Sequence, residues 1–123
     1  MARVFSGKKF LFESDVAGSF HRKLLGIMFQ NTPIRKQFAK PLLFAFRTTD
    51  PVSNSIHSLF CFTDFDAVFL DEGFKATGVV SRIKPWQLLI TPKKPCKYLL
   101  ELPAGWAARY KIKVGTVLRV AGL

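Results

Sequence analysis

The chain has 123 residues, 49% of them hydrophobic and 13 of them Phe, enough large apolar surface to pack one domain without metal or disulfide staples and too much for a disordered chain. Nineteen Lys and Arg stand against eight Asp and Glu, a formal net charge of +11, so the chain attracts polyanions, nucleic acid included, whatever its fold. Apolar runs such as Leu42 to Phe46 and Ala67 to Leu70 fall far short of the roughly 20 residues a membrane-spanning helix needs, and no apolar h-region follows MARVFSGKKF; no membrane span and a cytoplasmic location are the expectations.

In chain order, a first strand is expected over Phe10 to Ala17. Ser19 then opens a short helix on which Phe20, Leu24 and Ile27 recur near a helical period, and Gly26 limits it to about two turns. The segment QNTPIRKQFAK, from Gln30 to Lys40, is polar, basic and broken by Pro33, so it reads as a surface loop. LLFAF forms a second strand, and the turn formers from Thr48 to Ser55 join it to the next. Ile56 to Phe62 and Asp66 to Leu70 are β-rich, and Asp71, Glu72 and Gly73 supply a tight turn into FKATGVV, a β-hairpin. Pro85, Pro92 and Pro95 leave room for a short strand at Gln87 to Ile90 and a basic loop at Pro92 to Lys97. Tyr98 to Leu102 is another strand, Pro103 opens a helical turn through Trp106 and Ala108, and Thr116 to Val120 is the last strand. The sum is a single domain over residues 1–123, mainly β: a compact β-barrel-like or sandwich arrangement of about seven short strands with one or two short helices.

The two cysteines, Cys61 and Cys96, form no C-x-x-C pair and have no His ligand set near them, so neither a metal nor a cofactor is expected, and free thiols are the simplest reading. No nucleophile elbow, phosphate loop, zincin helix or dinucleotide fingerprint occurs.

The stretches SIHSLFCFTDFDAVFLDEG and VVSRIKPWQLLITPKKPCKYLLELPAGWAARYKIKVGTVLRV resemble the uncharacterised family known as domain of unknown function 192, in its archaeal-like branch. FHRKLLGIMF is similar to the family's Arg-x-x-Gly-Leu-Met element, with Gly26, Ile27 and Met28 at its last three places. The strongest matches are Asp66 with Val68, Phe69, Leu70 and Asp71, followed by LELPAG from Leu100 to Gly105. The resemblance implies a compact β-barrel or sandwich with a short N-terminal helix and implies no established activity. Ser58 replaces the family's Met after His57, Asp64 replaces its Pro, and Thr116 stands where an Asp normally follows Gly115.

Three groups of residues are candidates for function. His57, Asp66 and Glu101 are polar exceptions within apolar strands. Each is read first as a hydrogen-bonded structural residue, because a buried carboxylate costs several kcal/mol unless it is satisfied; were their strands neighbours, the three would form a pocket at the mouth of a small barrel. Arg35, Lys36 and Lys40 in one loop and Lys93, Lys94 and Lys97 in another would form a basic surface if the fold joined them, with Trp86 or Phe38 available to stack on bases; a solvated face is the simpler reading. Trp106 and Arg109, with Tyr110, lie on a turn that closes the barrel end or, with Trp86, offers a partner contact. The expected function is a binding module for an unidentified small ligand or protein partner. The alternatives are a nucleic-acid-binding protein using a basic face and a hydrolase-like enzyme with a His/carboxylate pocket.

Overall fold

The computed structural model describes residues 1–17, 41–46, 48–52, 54, 64–84 and 90–123. Its strands are β1 (Ala2–Ser6), β2 (Lys9–Ala17), β3 (Leu42–Ala45), β4 (Phe65–Leu70), β5 (Ala76–Ile83), β6 (Tyr98–Pro103) and β7 (Arg119–Ala121), with one short helix, α1 (Trp106–Arg109), between β6 and β7. They form one seven-stranded sheet in the order β5-β4-β6-β3-β2-β1-β7. Among these pairings only β2 with β3 is parallel.

Strand β4, FDAVFL, is buried at all six positions, as an interior strand between β5 and β6 must be when both of its faces are covered. Alternate residues enter two separate cores. Phe65, Ala67 and Phe69 join Leu42, Phe44, Phe46, Ile83, Cys96 and Leu99 on one side. Val68 and Leu70 join Val4, Leu11, Phe12, Leu43, Leu100, Leu102, Ala107, Ile112 and Leu118 on the other. Each fully buried Phe or Leu contributes about 1.5–3 kcal/mol relative to exposure, so β3, β4 and β6 form the most strongly held part of the sheet.

The expected hairpin is present as β4 and β5. Asp71 Oδ1 accepts hydrogen bonds from the backbone N–H groups of Gly73 and Lys75, each at 2.9 Å, an Asx-type turn, and Phe74 takes a left-handed φ of 62° in it. Sheet closure is partial. The segment before β7 is bonded to the start of β5: the Ala76 N–H donates to the Thr116 carbonyl at 2.8 Å, the Gly115 N–H to the Ala76 carbonyl at 2.8 Å and the Leu118 N–H to the Phe74 carbonyl at 3.0 Å. Since β7 also pairs with β1, the C-terminal chain links the two ends of a curled, barrel-like sheet that is otherwise open.

Several sequence expectations need adjusting. The first strand is not Phe10 to Ala17 alone, because Ala2–Ser6 precedes it as β1; five residues with Arg3 and Ser6 among them carry little β signal and owe their state to pairing with β2 and β7. The final strand is shorter than Thr116 to Val120: Val117 makes an isolated bridge to Lys75, and regular pairing begins at Arg119. The helix opened by Ser19, the loop from Gln30 to Lys40, the strand Ile56 to Phe62 and residues 87–89 of the strand ending at Ile90 lie outside the described residues.

Candidate functional site

Asp66 and Glu101 are both fully buried, at 0% exposure, and the sheet treats them in opposite ways. Facing Asp66, β5 carries a bulge: Phe65 pairs with Ile83 and Ala67 with Val80, so Ser81 and Arg82 together oppose one residue. The bulge turns Arg82 to a φ of 52° and aims its backbone N–H at Asp66 Oδ1, 2.8 Å away. Asp66 Oδ2 accepts from the N–H groups of Gly105 at 3.1 Å and Ala107 at 2.9 Å, which are amides at the start of α1 with no partner inside the helix. Three donors thus satisfy one carboxylate. Asp66 joins the bulge, β4 and the LELPAG turn, a positioning role for the residue that best matches the family pattern.

Glu101 has no such partners. Neither of its carboxyl oxygens is hydrogen-bonded among the described residues. Desolvation pushes its pKa from the ordinary 4.5 up to about 8, so at neutral pH the group is mainly the uncharged acid, one O–H donor plus acceptor capacity.

The pairing of β4 with β6 puts Ala67 opposite Glu101 and Leu102 opposite Asp66. Directly paired residues share a face, and successive residues of a strand point to opposite faces. Glu101 therefore projects with Leu42, its partner on β3, and with Ala67, whereas Asp66 projects with Leu102 toward Ala107. Asp66 and Glu101 therefore face opposite sides of the sheet, whereas a pocket shared by the two would need both on one face. His57 lies outside the described residues.

Lys93 and Lys94 are exposed on the loop after Ile90, and Lys97 is half-buried, its backbone N–H donating to the Leu70 carbonyl at 2.7 Å. Arg35, Lys36, Lys40 and Trp86 lie outside the described residues. Trp106 is half-buried against the core that holds Phe12 and Leu102, its ring centre 5.8 Å from that of Phe12 and 5.5 Å from that of Tyr110. Arg109 is exposed, its guanidinium 5.8 Å from the Trp106 ring centre and 5.4 Å from that of Tyr110, within cation–π range.

A cleft of about 220 Å³ opens beside Arg109, lined also by Ser6, Lys9, Leu11, Tyr110 and Lys111. Linear order gives no hint of it, because the hairpin of β1 and β2 and the turn after α1 are about a hundred residues apart and meet only through the fold. Among the described residues no group of three or more His, Cys, Asp or Glu side chains is placed to hold a metal, and no helix is long and apolar enough to cross a membrane.

Curated relatives of this chain include proteins named UPF0127. UPF0127 protein PH1112 of Pyrococcus horikoshii is 31% identical over 107 residues, covering 87% of this chain and 86% of the relative. UPF0127 protein PF1050 of Pyrococcus furiosus is 30% identical over 115 residues, covering 94% and 92%. The fold is shared with a "putative transcription regulator" of Sinorhizobium meliloti 1021, at TM-score 0.80 and 23% identity over 99% of this chain and 93% of that one, and with a protein of unknown function from Novosphingobium aromaticivorans DSM 12444, at TM-score 0.74 and 18% identity over 96% and 82%. The pattern of the family DUF192, "Uncharacterized ACR, COG1430", matches residues 3–120: the chain belongs to the domain of unknown function 192 family.

Proposed function

We propose that this chain is a binding module for a small, mainly apolar and uncharged ligand that meets Glu101. The observation that carries the reading is the orphaned carboxyl of Glu101, fully buried with neither oxygen hydrogen-bonded among the described residues. An unsatisfied buried polar group costs about 1–3 kcal/mol, and a folded protein retains such a group when something else repays the cost. A neutral carboxyl beside Leu42 and Ala67 presents a donor and an acceptor in an apolar setting, the combination that recognises a carbonyl or hydroxyl on an otherwise apolar molecule. A ligand would reach Glu101 through local opening, an event of lower free energy than global unfolding.

A hydrolase built on His57, Asp66 and Glu101 draws no support from the geometry, because Asp66 spends both oxygens on backbone amides and faces away from Glu101. The name carried by the Sinorhizobium meliloti neighbour belongs to a protein 23% identical to this one, a level that speaks to fold alone.

Thermal-shift screening of uncharged metabolites against the wild type and Glu101→Leu tests the reading, since a ligand that binds only the folded state raises its midpoint. Compounds that raise the wild-type midpoint and leave Glu101→Leu unmoved are the expected result. Compounds that shift both proteins equally, or the lack of any hit, would overturn it.

A further inference from the structure

The geometry points to a second, separate site: we propose that the cleft between the β1–β2 hairpin and the turn after α1 binds a phosphate group. Its walls carry three cations, Lys9, Arg109 and Lys111, two hydroxyls, from Ser6 and Tyr110, and one aliphatic side chain, Leu11, with no acid among them. All three cations are exposed, and the ion pair made by described residues is Lys84 with Asp64, on another part of the surface. Three like charges around one concavity repel one another, and on a chain of net charge +11 a bound anion relieves that repulsion.

The arrangement is preorganised. Arg109 is held against the Trp106 and Tyr110 rings, and the Tyr110 ring is itself fixed edge-on against Phe12, centres 5.2 Å apart. Cation–π contact with the two rings restrains the guanidinium beside the cleft, where its N–H groups can meet an oxyanion. Lys111 takes a left-handed φ of 58°, a conformation costing an ordinary residue about 1 kcal/mol, while its backbone N–H donates to the Ala108 carbonyl at 3.1 Å. A glycine would be more stable there; a lysine adds a charge to the cleft. The hydroxyls of Ser6 and Tyr110 add neutral donors that a phosphate oxygen accepts from.

The volume of about 220 Å³ lies below the roughly 300 Å³ at which pockets begin to enclose drug-sized ligands. The cleft therefore suits inorganic phosphate, pyrophosphate or the terminal phosphate of a larger ester rather than a whole nucleotide. None of these residues takes part in the Glu101 reading, so the two stand or fall separately.

Amide NMR titrations of the full chain with inorganic phosphate, pyrophosphate and glycerol phosphate, at fixed ionic strength, test the proposal. Saturable shifts centred on Ser6, Lys9, Tyr110 and Lys111 are expected, with pyrophosphate the tightest because it offers more charge to three cations. Glycerol phosphate binding as well as inorganic phosphate identifies the ester as the source of the group; its exclusion identifies the free ion, and either outcome supports a phosphate site. Lys111→Gly should weaken binding about tenfold, the loss of one charge-assisted contact worth about 1.4 kcal/mol, without lowering the thermal midpoint, and Lys9→Ala on the opposite wall should do the same to affinity. Lys93→Ala, in the distant loop, should bind as the wild type does. Non-saturating shifts spread over many basic residues, equal effects of Lys111→Gly and Lys93→Ala, or binding of duplex DNA or RNA with no binding of any of the three small phosphates would overturn it.

Discussion

Asp66 and Glu101 are one residue out of register on adjacent strands, and that offset decides their chemistry. Asp66 meets a bulge and the first amides of α1; Glu101 meets leucine and alanine. Asp66→Asn keeps the shape but replaces one acceptor oxygen by an NH₂ group, which faces a backbone donor in either amide orientation. We expect a loss of about 2–4 kcal/mol, from one broken charge-assisted bond and an orphaned N–H, read from urea midpoints with unchanged m-values. For Glu101 the sign runs the other way from an ordinary salt-bridged carboxylate. Its folded-state pKa of about 8 lies above the ordinary 4.5, so between those values the native state holds a proton that the unfolded chain has released. The stability linked to Glu101 is fully present below pH 4.5 and is lost as pH rises through 8. In Glu101→Gln this slope should vanish, so the wild-type thermal midpoint should fall relative to that of the variant from pH 5 to pH 9; parallel profiles would remove the buried acid from the account. The sequence marked both residues as polar exceptions in apolar strands, because alternation exposes such breaks directly. It could not separate their fates, since face and partner depend on register with strands more than thirty residues away.

At the scale of elements, the LELPAG turn shows how backbone geometry and packing combine. Gly105 sits at a φ of 91°, and a Cβ added there would lie 3.3 Å from Arg82 Nη2. Gly105→Ala is therefore strained in the backbone and crowds the side chain that the β5 bulge carries over the turn. It also disturbs the N–H that Asp66 accepts. We expect a cost of about 1–3 kcal/mol, with the circular-dichroism spectrum of the folded protein retained, whereas Gly73→Ala, with 3.6 Å to Asp71 Oδ1 and no left-handed φ, should cost less than half as much in the same denaturation assay. The hairpin from β4 to β5 was legible because its signals are local: an apolar strand, Asp-Glu-Gly, then a second β-rich run. The bulge at Ser81 and Arg82 was not, because nothing in VVSRI sets it apart from a regular strand until Asp66 is placed across from it. β1 escaped notice for the same reason, its partners being a neighbour on one side and the far C-terminus on the other.

Across the whole molecule, the chain's end completes what its beginning starts. β1 is paired by β2 on one edge and β7 on the other, and the segment from Gly115 to Leu118 reaches on to Phe74 and Ala76, so one C-terminal stretch satisfies backbone groups at both ends of the sheet. Unpaired edges expose a row of hydrogen-bonding groups and invite association with other chains, so the closure is expected to limit self-pairing as well as to add stability. Leu118 and Val117 separate the two contributions. Leu118 is buried in the same core as Val4, Leu100 and Leu102, whereas Val117 is 59% exposed although it makes the bridge to Lys75. If the segment contributes chiefly through the core, Leu118→Ala should cost about 2–4 kcal/mol and Val117→Ala less than about 0.5 kcal/mol. Substituting Leu118 by Pro instead also removes the N–H that donates to the Phe74 carbonyl. Closure by backbone pairing then predicts that Leu118→Pro unfolds at lower urea than Leu118→Ala and gains a concentration-dependent tendency to associate, measured by light scattering, as the freed edges find each other. A Leu118→Pro chain as stable as Leu118→Ala and no more prone to associate would mean that the backbone pairing is incidental and that the Leu118 side chain alone anchors the C-terminus.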